Sequence, residues 1–130
     1  MNFKKILLTF TILFISANYS YSQRATAIEW KNLIYAIEEH ESRHNETVKS
    51  GDGKYWGYLQ ISSVLVKECN KIVGSNKYTL NDRLNRQKSH EMFNIIQNKY
   101  NPHHDIELAC RLWAVGLVAL NNPNKGKKVI

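Results

Sequence analysis

Three acids fall within four residues, Glu38, Glu39 and Glu41, at the end of a stretch whose apolar residues repeat at helical spacing. Helix geometry separates them. At about 100° per residue, Trp30, Leu33, Ile34 and Ile37 cover a sector of roughly 100°. Glu41 falls inside that sector, Glu38 at its margin and Glu39 on the far side. Glu39 therefore reads as solvated, Glu38 as ambiguous, and Glu41 as a carboxylate at the end of an apolar stripe. Burial disfavours the charged form of a carboxyl group and raises its pKa. A glutamate moved from about 4.3 to between about 6 and 7 holds its proton near neutral pH, as the general acid of glycoside cleavage must. The bland alternative is a helix frayed before residue 41, with Glu41 an ordinary surface acid.

The same residues spell a second pattern. His40-Glu41-Ser42-Arg43-His44 has the form H-E-x-x-H, in which two histidines one helical turn apart bind zinc and the glutamate activates water. His103, His104 and Glu68 are the candidates for a third ligand, but none stands in a recognisable frame, and Thr47 occupies the place where a metzincin has glycine. The zinc peptidase is therefore the lesser reading, and no cofactor or metal is expected. Asp52 is the one acid of the glycine-rich stretch Ser50-Gly51-Asp52-Gly53. A hydrolase that retains or inverts configuration needs a second carboxylate about 5 Å or roughly 6.5–9.5 Å from the first. An aspartate between two glycines is more often a turn residue, which favours chemistry that needs a single carboxylate.

Four helical segments are predicted to carry these groups. The first runs from about Ala25 to His40 or slightly beyond, and the second from Ser63 to Val73 with Gly74 as its stop. The third spans Asp82 to Tyr100, with Met92, Phe93, Ile96 and Tyr100 at helical spacing and Pro102 beyond its end. The fourth starts at an Asp105 cap and continues through Leu108, Ala109, Leu112 and Trp113 to Gly116. Between the first two, Asp52-Gly53 followed by aromatic residues predicts a short β-hairpin or an ordered loop. The expected fold class is mainly α with one small β excursion, a single domain over residues 23–120. The tail from Asn121 to Ile130 is polar and basic and is expected to lack order.

Lys4 and Lys5 precede an apolar run from Ile6 to Ala17, and Ser20-Tyr21-Ser22 supplies small residues for a signal peptidase. Residues 1–22 thus read as a secretory signal peptide cleaved before Gln23. About 12 apolar residues are too few to span a hydrocarbon core of roughly 30 Å, so no stable membrane insertion is expected after cleavage. The expected location is the periplasm or the outside of the cell. Cleavage removes two lysines from a chain of net charge +7, leaving +5 on 108 residues, enough for one small core. Scattered Lys and Arg in that compartment argue against nucleic acid as a partner and point to anionic surfaces such as wall polymers. Cys69 and Cys110 are too few for a disulfide scaffold, and their spacing leaves open whether they pair. His90, His103 and His104 read as surface residues.

Two short motifs stand in order. Glu41-Ser42-Arg43-His44-Asn45 has the form E-S-x-x-N, and Gly57-Tyr58-Leu59-Gln60-Ile61 the form G-x-x-Q-I. With Asp82-Arg83, Arg86-Gln87-Lys88-Ser89, Glu91-Met92-Phe93, Tyr100-Asn101-Pro102 and Arg111-Leu112-Trp113, they resemble the lytic transglycosylase (SLT-type) domain of the lysozyme-like superfamily, related to goose-type lysozymes. The resemblance covers about residues 27–116. It implies an α+β lysozyme-like fold, peptidoglycan glycan strands as the partner, and Glu41 as catalytic acid at the bond between N-acetylmuramic acid and N-acetylglucosamine. By the same resemblance Gln60 lines the sugar cleft, Ser42 belongs to the substrate side, and Tyr55, Tyr58 and Trp113 stack on sugar rings, with core packing the alternative for each aromatic. A monomer is expected. One departure stands out. Relatives carry Asn-Gly or a close variant after the last aromatic, whereas Trp113 is followed here by Ala114-Val115-Gly116. A wall-binding protein that keeps the shape without turnover is the alternative of a different class.

Overall fold

A computed structural model describes residues 24–122; the segment over residues 1–22 expected to be a signal peptide and residues 123–130 of the tail lie outside them. The chain runs α1 (Ala27–Ser42), β1 (Tyr55–Trp56), β2 (Ile61–Ser62), α2 (Ser63–Val73), a 3-10 turn (Leu80–Leu84), α3 (Arg86–Tyr100), α4 (Ile106–Val115) and α5 (Val118–Asn121). It is mainly helical with one small antiparallel hairpin between the first two helices, as expected. None of the described helices is long and apolar enough to cross a membrane.

Local chemistry sets the boundaries. A capping box starts α1: the Thr26 hydroxyl accepts from Glu29 N, and the Glu29 carboxylate accepts from Thr26 N at 2.7 Å. The helix continues past His40 to Ser42, so the fraying alternative for Glu41 does not hold. Ser62 caps α2 through Leu65 N, and Gly74 ends it in the left-handed region at φ 74°. Asp105 caps α4 through Leu108 N at 2.6 Å. The predicted third helix divides in two. Thr79 and Asp82 form a capping box for the 3-10 turn, and Asn85 then caps α3 by accepting from Lys88 N. Two residues past Gly116 the short helix α5 begins, and it reaches Asn121, one residue into the stretch expected to lack order.

The core lies where α3 crosses the others. Leu59, Ile61, Cys69, Met92, Phe93 and Ala109 are fully enclosed, and Trp30, Leu33, Ile34 and Leu112 close the shell. Phe93 is the pivot: its ring packs 5.7 Å from Trp30 of α1 and 4.8 Å from Trp113 of α4, both tilted. Cutting such a ring back to alanine costs about 3–5 kcal/mol. Cys69 and Cys110 are free thiols.

The hairpin pairs Tyr55 with Ser62 and Trp56 with Ile61 around a loop of residues 57–60. Asp52-Gly53 makes a separate reversal just before it, closed by Ser50 N donating to Tyr55 O at 2.9 Å. Gly57 cannot be replaced without movement. It sits at φ 82°, and a Cβ there would lie 1.9 Å from the Arg83 carbonyl oxygen. Arg83 is buried against the same loop, donating to Ile61 O at 3.3 Å, and its guanidinium lies 3.9 Å from the centre of the Trp56 ring.

Candidate active site

A cleft of about 590 Å3 opens between the hairpin and the end of α4. Glu41, Tyr55, Gln60 and Trp113 line it, so four of the six residues expected at the site meet there. Glu41 and Trp113 also border a second recess of about 310 Å3 with Ile37, His40 and Cys110. The Glu41 carboxyl stands at the junction of the two hollows. It is half-buried, and burial pushes its pKa above the ordinary value of 4.5, against a smaller opposing pull from His40. Among the described residues it is the only carboxylate that lines the cleft.

Gln60 holds its backbone in the left-handed region at φ 50°, a conformation that costs a non-glycine residue about 1 kcal/mol or more. Its side chain accounts for the strain. Gln60 Nε2 donates to Val48 O and to Gly57 O, each at 2.9 Å, which leaves Oε1 to accept from a ligand. Tyr55 is exposed on the hairpin wall. Trp113 is half core and half wall: Nε1 donates to Leu59 O at 2.9 Å, its ring packs on Phe93, and the residue lines the cleft. The wall beyond it is Ala114-Val115-Gly116, which offers no side-chain amide.

Two expected residues sit elsewhere. Ser42 is buried, and its hydroxyl faces the Glu38 carbonyl at 3.1 Å and the Tyr58 carbonyl at 2.8 Å. Its one proton is spent within the protein, so it ties the helix end to the hairpin loop and does not line the cleft. Tyr58 turns to the opposite side, its hydroxyl 3.4 Å from Glu46 and its ring 5.8 Å from the Arg86 guanidinium. Asp52 is a turn residue: it accepts from Ser50 Oγ at 2.7 Å and Lys54 N at 3.1 Å, and the Ser50 bond holds its carboxyl below the usual range.

The zinc pattern loses its geometry at the helix end. Arg43 and His44 are both left-handed, at φ 52° and 58°, so His44 leaves the helical face that His40 occupies. Nδ1 of His44 lies 2.9 Å from Glu38 Oε2, and Nε2 lies 2.9 Å from Glu39 Oε2, off the line a hydrogen bond needs. The proposed third ligands are engaged or remote: His104 stacks on Trp30 at 4.4 Å, Glu68 accepts from Tyr100, and His103 is exposed. Among the described residues no group of three His, Cys, Asp or Glu is arranged to hold a metal ion.

The acid that helix spacing left ambiguous is the most enclosed one. Glu38 has no exposed surface, yet it is charged. Desolvation pushes its pKa up, but bonds from Arg86, His90 and His44 outweigh that and bring it to about 2. Arg86 donates from both Nε and Nη2 at 3.0 and 2.9 Å, a bidentate pair. His90 Nε2 meets Oε1, and His44 Nδ1 meets Oε2. Spacing on α3 offers a partial signal, since Arg86 and His90 are four residues apart and share a face. Another hollow, of about 640 Å3, lies between α1 and α3 beside this cluster. Its one lining carboxylate, Glu91, is held below the usual range by Tyr78, the opposite of the shift a carboxylic general acid needs. The candidate site is the cleft at Glu41.

Comparison with protein-family models, with curated proteins and with solved structures finds no match to this chain.

Proposed function

We propose that this protein is an exported enzyme that cleaves peptidoglycan glycan strands at the β-1,4 bond between N-acetylmuramic acid and N-acetylglucosamine. The observation that carries the reading is Glu41, a half-buried carboxyl with a raised pKa and the only carboxylate lining the cleft among the described residues. A raised pKa favours the protonated form that a general acid needs. Glu41 donates it to the glycosidic oxygen as the bond from C1 breaks. The carboxylate so formed then takes the proton of the muramic acid C6 hydroxyl while that oxygen closes on C1. The products are a free sugar hydroxyl and a 1,6-anhydro end, the proton returns to Glu41, and no water is consumed. One carboxylate suffices for this route, whereas hydrolysis with retention or inversion needs a second. With its Nε2 donating to Val48 O and Gly57 O, Gln60 accepts an acetamido N–H at Oε1 in this reading, and Tyr55 and Trp113 of the cleft wall stack on the sugars.

The test is mass spectrometry of peptidoglycan digests with the native chain and Glu41→Gln. The reading expects 1,6-anhydro-muropeptides from the native chain and a loss of at least about a hundredfold in the variant, the scale of a positioned general acid. Equal cleavage by the variant refutes the role of Glu41. Reducing ends replace the transglycosylase with a hydrolase. The apolar wall of Ala114 and Val115 favours one second reading, a wall-binding protein without turnover, which predicts pelleting with peptidoglycan and no soluble products.

A further inference from the structure

Glu41 is the penultimate residue of α1, where helices fray, and no side-chain hydrogen bond to another residue holds its carboxyl among the described residues. What keeps it at the cleft lies one turn back. We propose that Glu38 is a positioning residue, whose cluster with Arg86, His90 and His44 clamps the last turn of α1 and thereby fixes the Glu41 carboxyl at the cleft wall. This rests on the catalytic reading of Glu41 given above.

The clamp has two arms that start from one residue. Through its side chain, Glu38 fastens α1 to α3: both carboxylate oxygens are engaged, with Arg86 on the two of them, His90 on Oε1 and His44 on Oε2. Through its main chain, its carbonyl oxygen receives Ser42 Oγ at 3.1 Å and His44 N at 3.4 Å. Ser42 in turn reaches Tyr58 O on the hairpin loop at 2.8 Å. Residues 38 to 44 therefore form a closed knot tied to both neighbouring elements, and Glu41 rides on it. The knot is bent at a cost, because Arg43 and His44 are non-glycine residues in the left-handed region. His44 recovers that cost at Glu38, and Glu39 faces its other nitrogen.

Enclosing a carboxylate as Glu38 is enclosed is a poor way merely to stick two helices together, since apolar residues of similar volume often do as well or better. What it does supply is fixed geometry: a bidentate guanidinium–carboxylate pair sets one register and one rotation of α1 against α3.

The experiment is an NMR titration of the Glu41 side-chain carboxyl in 13C-glutamate-labelled full chain, comparing the native protein with Glu38→Gln, Arg86→Lys and His44→Ala. The native midpoint is expected above the ordinary 4.5. In Glu38→Gln it falls to the ordinary value while circular dichroism retains the helical signal, and kcat on glycan strands drops tenfold or more with KM within twofold. Arg86→Lys, which keeps the charge and loses the fork, gives a partial fall. A Glu41 midpoint unmoved in the variants, with only thermal stability reduced, overturns the proposal and leaves the cluster a staple. Should Glu38→Gln fail to fold, Arg86→Lys and His44→Ala decide by the same titration. If the native chain releases no muropeptides, the catalytic reading fails, but the titration still reports on the clamp. A native midpoint already at 4.5 overturns both.

Discussion

Lowering the pH from 5 to 2 takes Glu38 from fully charged to about half protonated, and the structure sets the size of the effect. The carboxyl titrates at about 2 in the folded chain against an ordinary value of 4.5. At about 1.4 kcal/mol per pH unit, that gap corresponds to roughly 3 kcal/mol of stability. The sign follows from the depressed folded value: the stabilisation is complete above the unfolded pKa and is lost as the pH falls from 4.5 through about 2. About 3 kcal/mol is an upper figure, because the Arg86 side chain is 51% exposed and shares its charge with water. For a domain of this size 1 kcal/mol moves Tm by about 4–8 °C, so Glu38 accounts for roughly 10–20 °C between pH 5 and pH 2. Other carboxylates held low, Asp52, Asp82 and Glu91 among them, also weaken the fold in acid, so the absolute decline is not diagnostic. The diagnostic quantity is the difference between the native chain and Glu38→Gln, followed by thermal unfolding with circular dichroism from pH 7 to pH 2. That difference is expected to be largest above pH 5 and to shrink steadily below 4.5. Two Tm curves that run parallel down to pH 2 would refute the ionised, multiply bonded carboxylate described here.

Other expectations are independent of the cluster. Gly57→Ala forces a Cβ to within 1.9 Å of the Arg83 carbonyl oxygen and places a side chain at φ 82°, so it is expected to destabilise the chain by about 3 kcal/mol or more in urea unfolding. The Cys69 thiol is fully buried, and burial pushes it up to about 12, so it is expected to resist a thiol reagent at pH 8 in the native chain and to react at once in denaturant.

The elements were legible where a local signal fixes them. Ser63 to Val73 was readable because a cap precedes it and Gly74 follows in the left-handed form that glycine favours. The third helix was harder. Asn85 interrupts it as a cap, but residues 85–91 hold neither glycine nor proline to mark the break, so the sequence runs the 3-10 turn and α3 together. Glu41, Gln60, Tyr55 and Trp113 share the cleft as their order in the sequence suggested. Ser42 and Tyr58 lie beside cleft residues in sequence but point elsewhere, because the helix ends at Ser42 and the loop turns at Gly57. Glu38 was beyond reach for a different reason. Its helix position is marginal, and two of its partners lie 48 and 52 residues away, so only the crossing of α1 and α3 brings them together.

The contact of Gly57 with Arg83 gives the cleft one jaw that does not yield. The hairpin is pinned from beneath by a backbone carbonyl, from within by Gln60 Nε2, and along its edge by the bridge between Lys49 and Trp56. The facing jaw is anchored in the core at Ala109, Leu112 and Trp113, but its far end is held more lightly, through Arg111 Nη1 on Ala119, with Leu117, Val118 and Leu120 partly in solvent. Breathing of the groove therefore belongs to the α4–α5 side. Under the glycan-cleaving reading proposed above, a strand would run along the fixed hairpin edge, and the give needed to admit it would come from the opposite edge.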